Sequence, residues 1–422
     1  MIRDGKRELA YVVSVTDVEP IEGYDRVEKA WVKGWSVLVK KDQFKKGDLG
    51  IFIEVDSKVP EIKEFDFLAS KHYKIKTQKF CKGTVLSQGL LMGFEDLPEY
   101  FNLNVDGWLY MKNGNPTKGK ETIDYLVQEG DCLTDFLGIK YSVAEDNRRK
   151  ANINKYTGMV QRHQNLFKKN PIIKWLYKRK WGKELLFIFL GKKNDSKTAF
   201  PTQFAFIHKT DEERVENLVP DILSDKREWI QTLKIDGTSS TYILERKKSL
   251  FKPKYEFYVT SRNVRQLTPD QANWHSKDGD NVYWEMAFKY NIENVLKDML
   301  EQHPDWQYVC IQGETCGVGV QGNPHKLPDT RLYVFNLIDS VKGRWNSFEA
   351  MKELTKYNIP FVPIINLSYV LPDTLEELKA QADGKVDIED GEGLREGFVY
   401  RSKDGITSFK NVSNQYLLEK GE

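Results

Sequence analysis

The chain has 422 residues, more than one ordinary core absorbs, so two domains with connections are the default expectation. Its 64 Lys and Arg nearly cancel its 62 Asp and Glu, and a net charge of +2 excludes a chain-wide basic signature, leaving nucleic-acid contact to local patches. Cys81, Cys132, Cys310 and Cys316 meet no histidine pair in a zinc pattern, and no apolar stretch follows Met1 or is long enough to span a bilayer; the cysteines read as buried free thiols and the chain as a cytoplasmic, membrane-free protein.

Short alternating runs open the chain: Leu9 to Val15, Val27 to Val32, Trp35 to Val39 and Gly50 to Val55, punctuated by Gly23, Gly34, Gly47-Asp48 and Pro60. Many short strands with regular turns predict a five-stranded β-barrel of the OB type, closed by a stretch running from Lys74-Ile75-Lys76-Thr77 to Leu90-Leu91-Met92. This unit is placed at 1–140. Residues 141–198 form a connection in which Lys174, Trp175, Tyr177, Lys178, Arg179, Lys180, Trp181 and Lys183 interleave charge with aromatic rings. Such a stretch suits phosphate neutralisation and base stacking. It equally suits an amphipathic connector helix with lysines in water, the commoner fate of a charge run.

From 199 to 422 the pattern becomes mixed. Strands are expected at Trp229–Leu233, Ser239–Leu244, Tyr255–Thr260, Gln307–Gln312, Leu332–Ile338 and Gly397–Tyr400. Helices are expected at Glu212–Leu218, Val282–Tyr290, Ile292–Gln302 and Ser347–Tyr357. The fold class is therefore α+β.

Within that second unit stands Lys234-Ile235-Asp236-Gly237-Thr238-Ser239. Asp-Gly is an ordinary turn dipeptide, and alone the string reads as a strand entering a turn. It also holds what a lysine nucleophile needs, an amine beside a phosphate site whose pKa neighbouring cations and partial burial would lower.

The string resembles motif I of the covalent nucleotidyltransferases, the superfamily of polynucleotide ligases and capping enzymes. Thr260-Ser261-Arg262-Asn263 is similar to motif Ia of RNA ligases, and Ile311-Gln312-Gly313-Glu314 to motif III. Leu332-Tyr333-Val334-Phe335-Asn336 resembles motif IIIa, Arg395-Glu396-Gly397-Phe398-Val399-Tyr400 motif IV, and Ser408-Phe409-Lys410 with Asn414 to Leu418 motif V. Singly, each has a plain alternative, such as a surface arginine or an acid beside a turn glycine. Six in the expected order point one way.

The resemblance implies an ATP-grasp-like ligase domain with antiparallel sheets at 199–422. It implies Lys234 as nucleophile, with Asp236, Arg262, Glu314, Glu396 and Lys410 in the chemistry. Asp236, Glu314 and Glu396 would hold Mg2+ or Mn2+, mostly through waters. Phe335 would stack on the adenine of ATP, with Leu233, Gly237, Asn263 and Lys209 also near the nucleotide.

Twelve residues follow Lys410, which leaves no room for a trailing OB or helical domain, and the barrel lies in front. That order resembles the Naegleria/Deinococcus branch of ATP-dependent RNA ligases. Gly34-Trp35, Phe44-Lys45-Lys46-Gly47-Asp48, Glu54-Val55-Asp56-Ser57, Ser87-Gln88-Gly89-Leu90 and Lys209-Thr210-Asp211-Glu212-Glu213-Arg214 agree with it. The implied activity joins RNA 5'-phosphate to 3'-hydroxyl ends through lysyl-AMP and RNA-adenylate, as in RNA repair, by a monomer. A nucleic-acid-binding protein with an inactive fold and a ligase for nicked DNA are the alternatives. Two positions depart from the pattern: Val412 stands where a second motif V lysine is common, and Leu233 where relatives carry an acidic or polar side chain.

Overall fold

The computed structural model describes residues 2–3, 6–103, 109–112, 125–142, 212–247, 253–262, 264–266 and 281–420, with isolated positions 173, 176, 179, 186, 207 and 268. Nearly all of the basic and aromatic connection, together with Lys209 and Asn263, lies outside the described residues.

The leading unit is a five-stranded antiparallel sheet built from β1 (Ala10–Ile21), β2 (Tyr24–Val32), β3 (Trp35–Lys40), β4 (Leu49–Ile53) and β5 (Leu90–Met92), in the order β5-β4-β1-β2-β3. It curls until its ends meet. Gln88 N donates to Ser36 O at 2.8 Å and Leu38 N to Ser87 Oγ at 3.0 Å, so the barrel is nearly closed. Alternation explains the two packed faces. Val13, Val15, Val32, Trp35 and Val37 fill one cluster, while Val12, Ile51, Ile53 and Met92 join Phe65, Leu97 and Leu133 in another. The closing stretch differs from expectation at its start. Lys74 pairs with Lys58 in an isolated bridge, and strand pairing resumes at Gln78–Phe80 with Val85–Ser87.

The second unit holds two sheets. One runs β6-β15-β14-β7-β13, from β6 (Glu213–Arg214), β7 (Trp229–Lys234), β13 (Ile364–Tyr369), β14 (Gly397–Ser402) and β15 (Ser408–Val412). The other runs β9-β8-β10-β11-β12, from β8 (Thr238–Lys247), β9 (Lys254–Ser261), β10 (Tyr308–Cys316), β11 (Arg331–Asp339) and β12 (Gly343–Arg344). Every pairing in them is antiparallel except β6 with β15. Helices α1 (Val282–Lys289), α2 (Ile292–Gln302) and α3 (Ser347–Thr355) cover the second sheet, and α4 (Leu375–Ala382) covers the first. The short α5 (Asn414–Lys420) follows β15. In α2, Ile292, Val295, Leu296, Met299 and Leu300 are buried at helical spacing. Asn281 caps α1 by accepting from Tyr283 N and Trp284 N.

The expected helix at Glu212–Leu218 is instead the strand β6 and a 3-10 turn over Val215–Asn217. Tertiary partners override helical propensity there. Asn217 receives the Trp35 indole N–H at 2.6 Å and buried Glu216 pairs with Lys379 at 2.8 Å. The cysteines are free, but only Cys310 and Cys316 are buried; Cys132 is exposed. Among the described residues, no helix is long and apolar enough to cross a membrane.

Candidate active site

Strand register builds the site. On the first sheet Lys234 pairs with Gly397, Thr232 with Val399, Val399 with Lys410, Arg401 with Ser408 and Gly397 with Val412. Because side chains alternate, Lys234, Thr232, Val399, Arg401, Lys410 and Ser408 share one face. The second sheet faces them with Glu314, which lies opposite Ser239 in the β8–β10 ladder. A cavity of about 360 Å³ results, lined by Lys234, Leu233, Gly237, Arg262, Glu314, Phe335 and Lys410, and also by Glu212, Thr232, Gln321, Val399 and Arg401. Residues from motifs I, Ia, III, IIIa, IV and V therefore meet around one opening, motif IV through Val399.

Lys234 Nζ lies 2.6 Å from Glu396 Oε1, with side-chain exposures of 24% and 15%. Burial alone would depress the lysine, but Glu396, then Glu314 and Asp236, outweigh it and raise its pKa. This corrects the expectation of a lowered value, because the amine's charged neighbours are carboxylates. Glu314 moves further. Burial, with repulsion from Glu396 and Asp236, pushes it up to about 8 against the pull of Lys234 and Arg262.

Asp236 behaves differently. Its Oδ2 accepts from Tyr416 Oη and Lys420 Nζ on α5, while its backbone N–H donates to His325 Nε2 at 3.0 Å. Burial opposes its ionisation, and Lys420, Tyr416 and Lys234 overcome that and lower its pKa. Asp236 does not line the cavity, whereas Ile235 and Gly237 do. Among the described residues, no three acids, histidines or cysteines converge as direct metal ligands, so Asp236, Glu314 and Glu396 are not gathered into one cage. Glu396 nonetheless keeps one oxygen, Oε2, buried without a hydrogen-bond partner among the described residues.

Gly237 has a steric reason. A Cβ there would stand 2.2 Å from Thr315 O, so only glycine lets the loop after Lys234 lie against β10. Leu233 turns into the core beneath the site and is 1% exposed. Phe335 is half-buried and lines the cavity.

Sequence reasoning missed Glu212, Thr232, Gln321 and Arg401 in the lining, and His325, Tyr416 and Lys420 behind Asp236. Counting in twos from Lys234 and Val399 finds Thr232 and Arg401. No local signal finds the others, whose partners lie far away in the chain.

A family model for an OB-fold domain matches residues 9–94, and one for RNA ligases matches residues 227–414. No curated protein matches the chain. Solved structures of Naegleria gruberi RNA ligase do. The form with pyrophosphate is 25% identical, covers 98% of this chain and 99% of its own, and has a TM-score of 0.64. A mutant with ATP and Mn is 25% identical over 98% of each chain at a TM-score of 0.63, and another with AMP and Mn reaches 0.64 at 25% identity over 98% and 99%. With motifs, fold and cavity in agreement, the chain belongs to the RNA ligase family, as an enzyme built like the Naegleria ligase with its OB-fold domain in front.

Proposed function

We propose that this ATP-dependent RNA ligase seals 5'-phosphate to 3'-hydroxyl RNA ends in three steps, with Lys234 as the nucleophile. In the first step Lys234 Nζ bonds to the α phosphorus of ATP as the bond to pyrophosphate breaks. AMP then passes to the RNA 5'-phosphate, and the 3'-hydroxyl displaces it. The observation that carries the reading is the convergence of Lys234, Glu314, Arg262, Phe335 and Lys410 on one cavity, with Glu396 paired to Lys234 at 2.6 Å.

The chain's own groups suit the roles. Glu396 Oε1, at 2.6 Å, orients the amine and is the nearest acceptor for the proton it must lose. Arg262 and Lys410 offset charge on the phosphoryl oxygens. Phe335 offers a face to the base. Glu396 Oε2, buried and unpartnered among the described residues, and Glu314 fit a hard cation or its waters. When bound, Mg2+ or Mn2+ would neutralise departing pyrophosphate and the carboxylate field that keeps Lys234 protonated. Asp236 would join them only after leaving Tyr416 and Lys420. The roles proposed for Lys209 and Asn263 rest on sequence alone.

We assign RNA gripping to residues 1–140, adenylyl transfer to 199–422, and the connection between them to 141–198, in a monomer acting in the cytoplasm. Incubation with α-labelled ATP and either metal tests the reading. Covalent label on wild type and none on Lys234→Ala is the expected outcome. Absence of label on wild type with both metals would sink it.

A further inference from the structure

Glu212 lines the same cavity and has no part in the chemistry above. Arg401 Nη2 donates to its Oε1 at 3.1 Å, and the Ser408 hydroxyl donates to Oε2. Arg401 Nη1 also donates to Phe335 O at 2.7 Å, so one guanidinium ties Glu212 to the ring proposed to carry the base. Arg401 and Ser408 are register partners, one step of the alternation beyond Val399 and Lys410. That step is about 7 Å along the strands, away from the Lys234 end.

Burial works against charge on Glu212, yet Arg401, the Ser408 hydroxyl and Arg344 more than offset it and hold its carboxyl below the ordinary range. An ionised carboxylate only accepts hydrogen bonds. Beside it, Thr232 Oγ1 gives its proton to Val399 O at 3.3 Å, and the Leu233 side chain is apolar.

We propose that Glu212 is a specificity-determining residue of the nucleotide site, accepting a hydrogen bond from the exocyclic amine of an adenine held against Phe335. This rests on the nucleotide reading of the cavity. Adenine presents an N–H at that position. Guanine and hypoxanthine present a carbonyl oxygen, which would face a fixed carboxylate with no proton between them. A site built around one buried hydrogen-bonding group rejects the mismatched analogue strongly.

Equilibrium binding of ATP, ITP and purine riboside triphosphate, which lacks the 6-amine, tests this on Lys234→Ala protein, where no covalent step intervenes. ATP should bind about ten- to a hundred-fold tighter than the purine analogue, as a hydrogen bond to a charged acceptor implies. Adding Glu212→Ala should bring the two within about threefold of each other. Glu212→Gln, whose amide can also donate, should raise ITP relative to ATP. A merely structural ion pair would shift all three nucleotides together and leave their ratios unchanged, which would overturn the inference. Equal binding of ATP and the purine analogue before any change at Glu212 would overturn it even where the Glu212 variants fail to fold. Binding of none of the three would overturn the nucleotide reading and this inference with it.

Discussion

Glu314 lies within the fields of Lys234, Glu396, Asp236 and Arg262, and its protonation reports their balance. Its carboxyl is pushed up to about 8, from an ordinary value near 4.5, by burial first and by the two acids second. The native state therefore keeps a proton that the unfolded chain releases above about pH 4.5. Stability tied to this group is full below that pH and falls as pH rises towards about 8. Glu314→Gln mimics the protonated form. It should melt close to wild type near pH 4 and several degrees above it at pH 9, the scale of a change of about 3–5 kcal/mol across that shift. Thermal unfolding across that range checks the point, and parallel curves would contradict it. At this scale the sequence revealed which residues meet but not the sign of their coupling. Lys234 and Glu396 were legible as motif members. That acids rather than cations dominate the amine follows only from their distances.

Helix α5 shows how an element can serve a motif it does not belong to. Tyr416 and Lys420 stand one turn apart on the same helix face, and both reach Asp236. The start of the helix is sewn to the motif IV side. Ser413 N donates to Glu396 O at 2.8 Å, the Ser413 hydroxyl donates to Asp383 Oδ1 at 2.6 Å, and Tyr416 N donates to Ser413 Oγ at 3.0 Å. One short helix thus holds both the loop after the nucleophile and the residue that pairs with it. Tyr416→Phe or Lys420→Ala should each slow lysine adenylation about tenfold or more, since each removes a hydrogen bond to a charged group that positions motif I. Single-turnover label transfer measures this, with melting temperature as the control. Rates within twofold of wild type would count against the role. Tyr416 was visible in the sequence within the tail of motif V, whereas Lys420 lay beyond it. Their target was not visible, because Asp236 lies 180 residues from Tyr416 and no periodicity spans such a separation.

On the whole-molecule scale, the barrel is docked against the strand that carries Lys410. Leu86 of the barrel packs with Val412 and Leu417. Trp35 donates to Asn217 and lies 5.5 Å from the Arg214 guanidinium. At Gly34 a Cβ would stand 2.6 Å from Leu375 and 2.9 Å from the Glu216 backbone, so the turn between β2 and β3 touches the second unit closely. This contact accounts for Val412, the departure from the motif V pattern. It shares the site face with Lys410 in register but is 3% exposed, covered by the barrel, and its carbonyl accepts from Lys379 Nζ at 2.5 Å. Val412→Lys should not restore a phosphate contact. It would bury an ammonium between Leu86 and Leu417 and cost about 3 kcal/mol or more. Denaturant unfolding with a ligation assay distinguishes the outcomes, since a stable variant with faster ligation would refute this. The barrel strands and the ligase strands were both legible from alternation. Their contact was not, because each half of it reads as ordinary core.

The place of β7 in its sheet has a consequence for folding. Lys234 ends a strand whose neighbours, β13 and β14, lie more than a hundred residues further along the chain, and α5 comes later still. Closing loops of that length before any contact repays them makes for slow, late assembly. A nascent chain that has emerged as far as α3 holds the nucleophile but lacks Glu396, Lys410 and both strands that flank it. On the proposed mechanism, Lys234 would gain its reactive surroundings only when the final strands and helix fold back onto it, and the topology would delay adenylation until the ligase domain is complete.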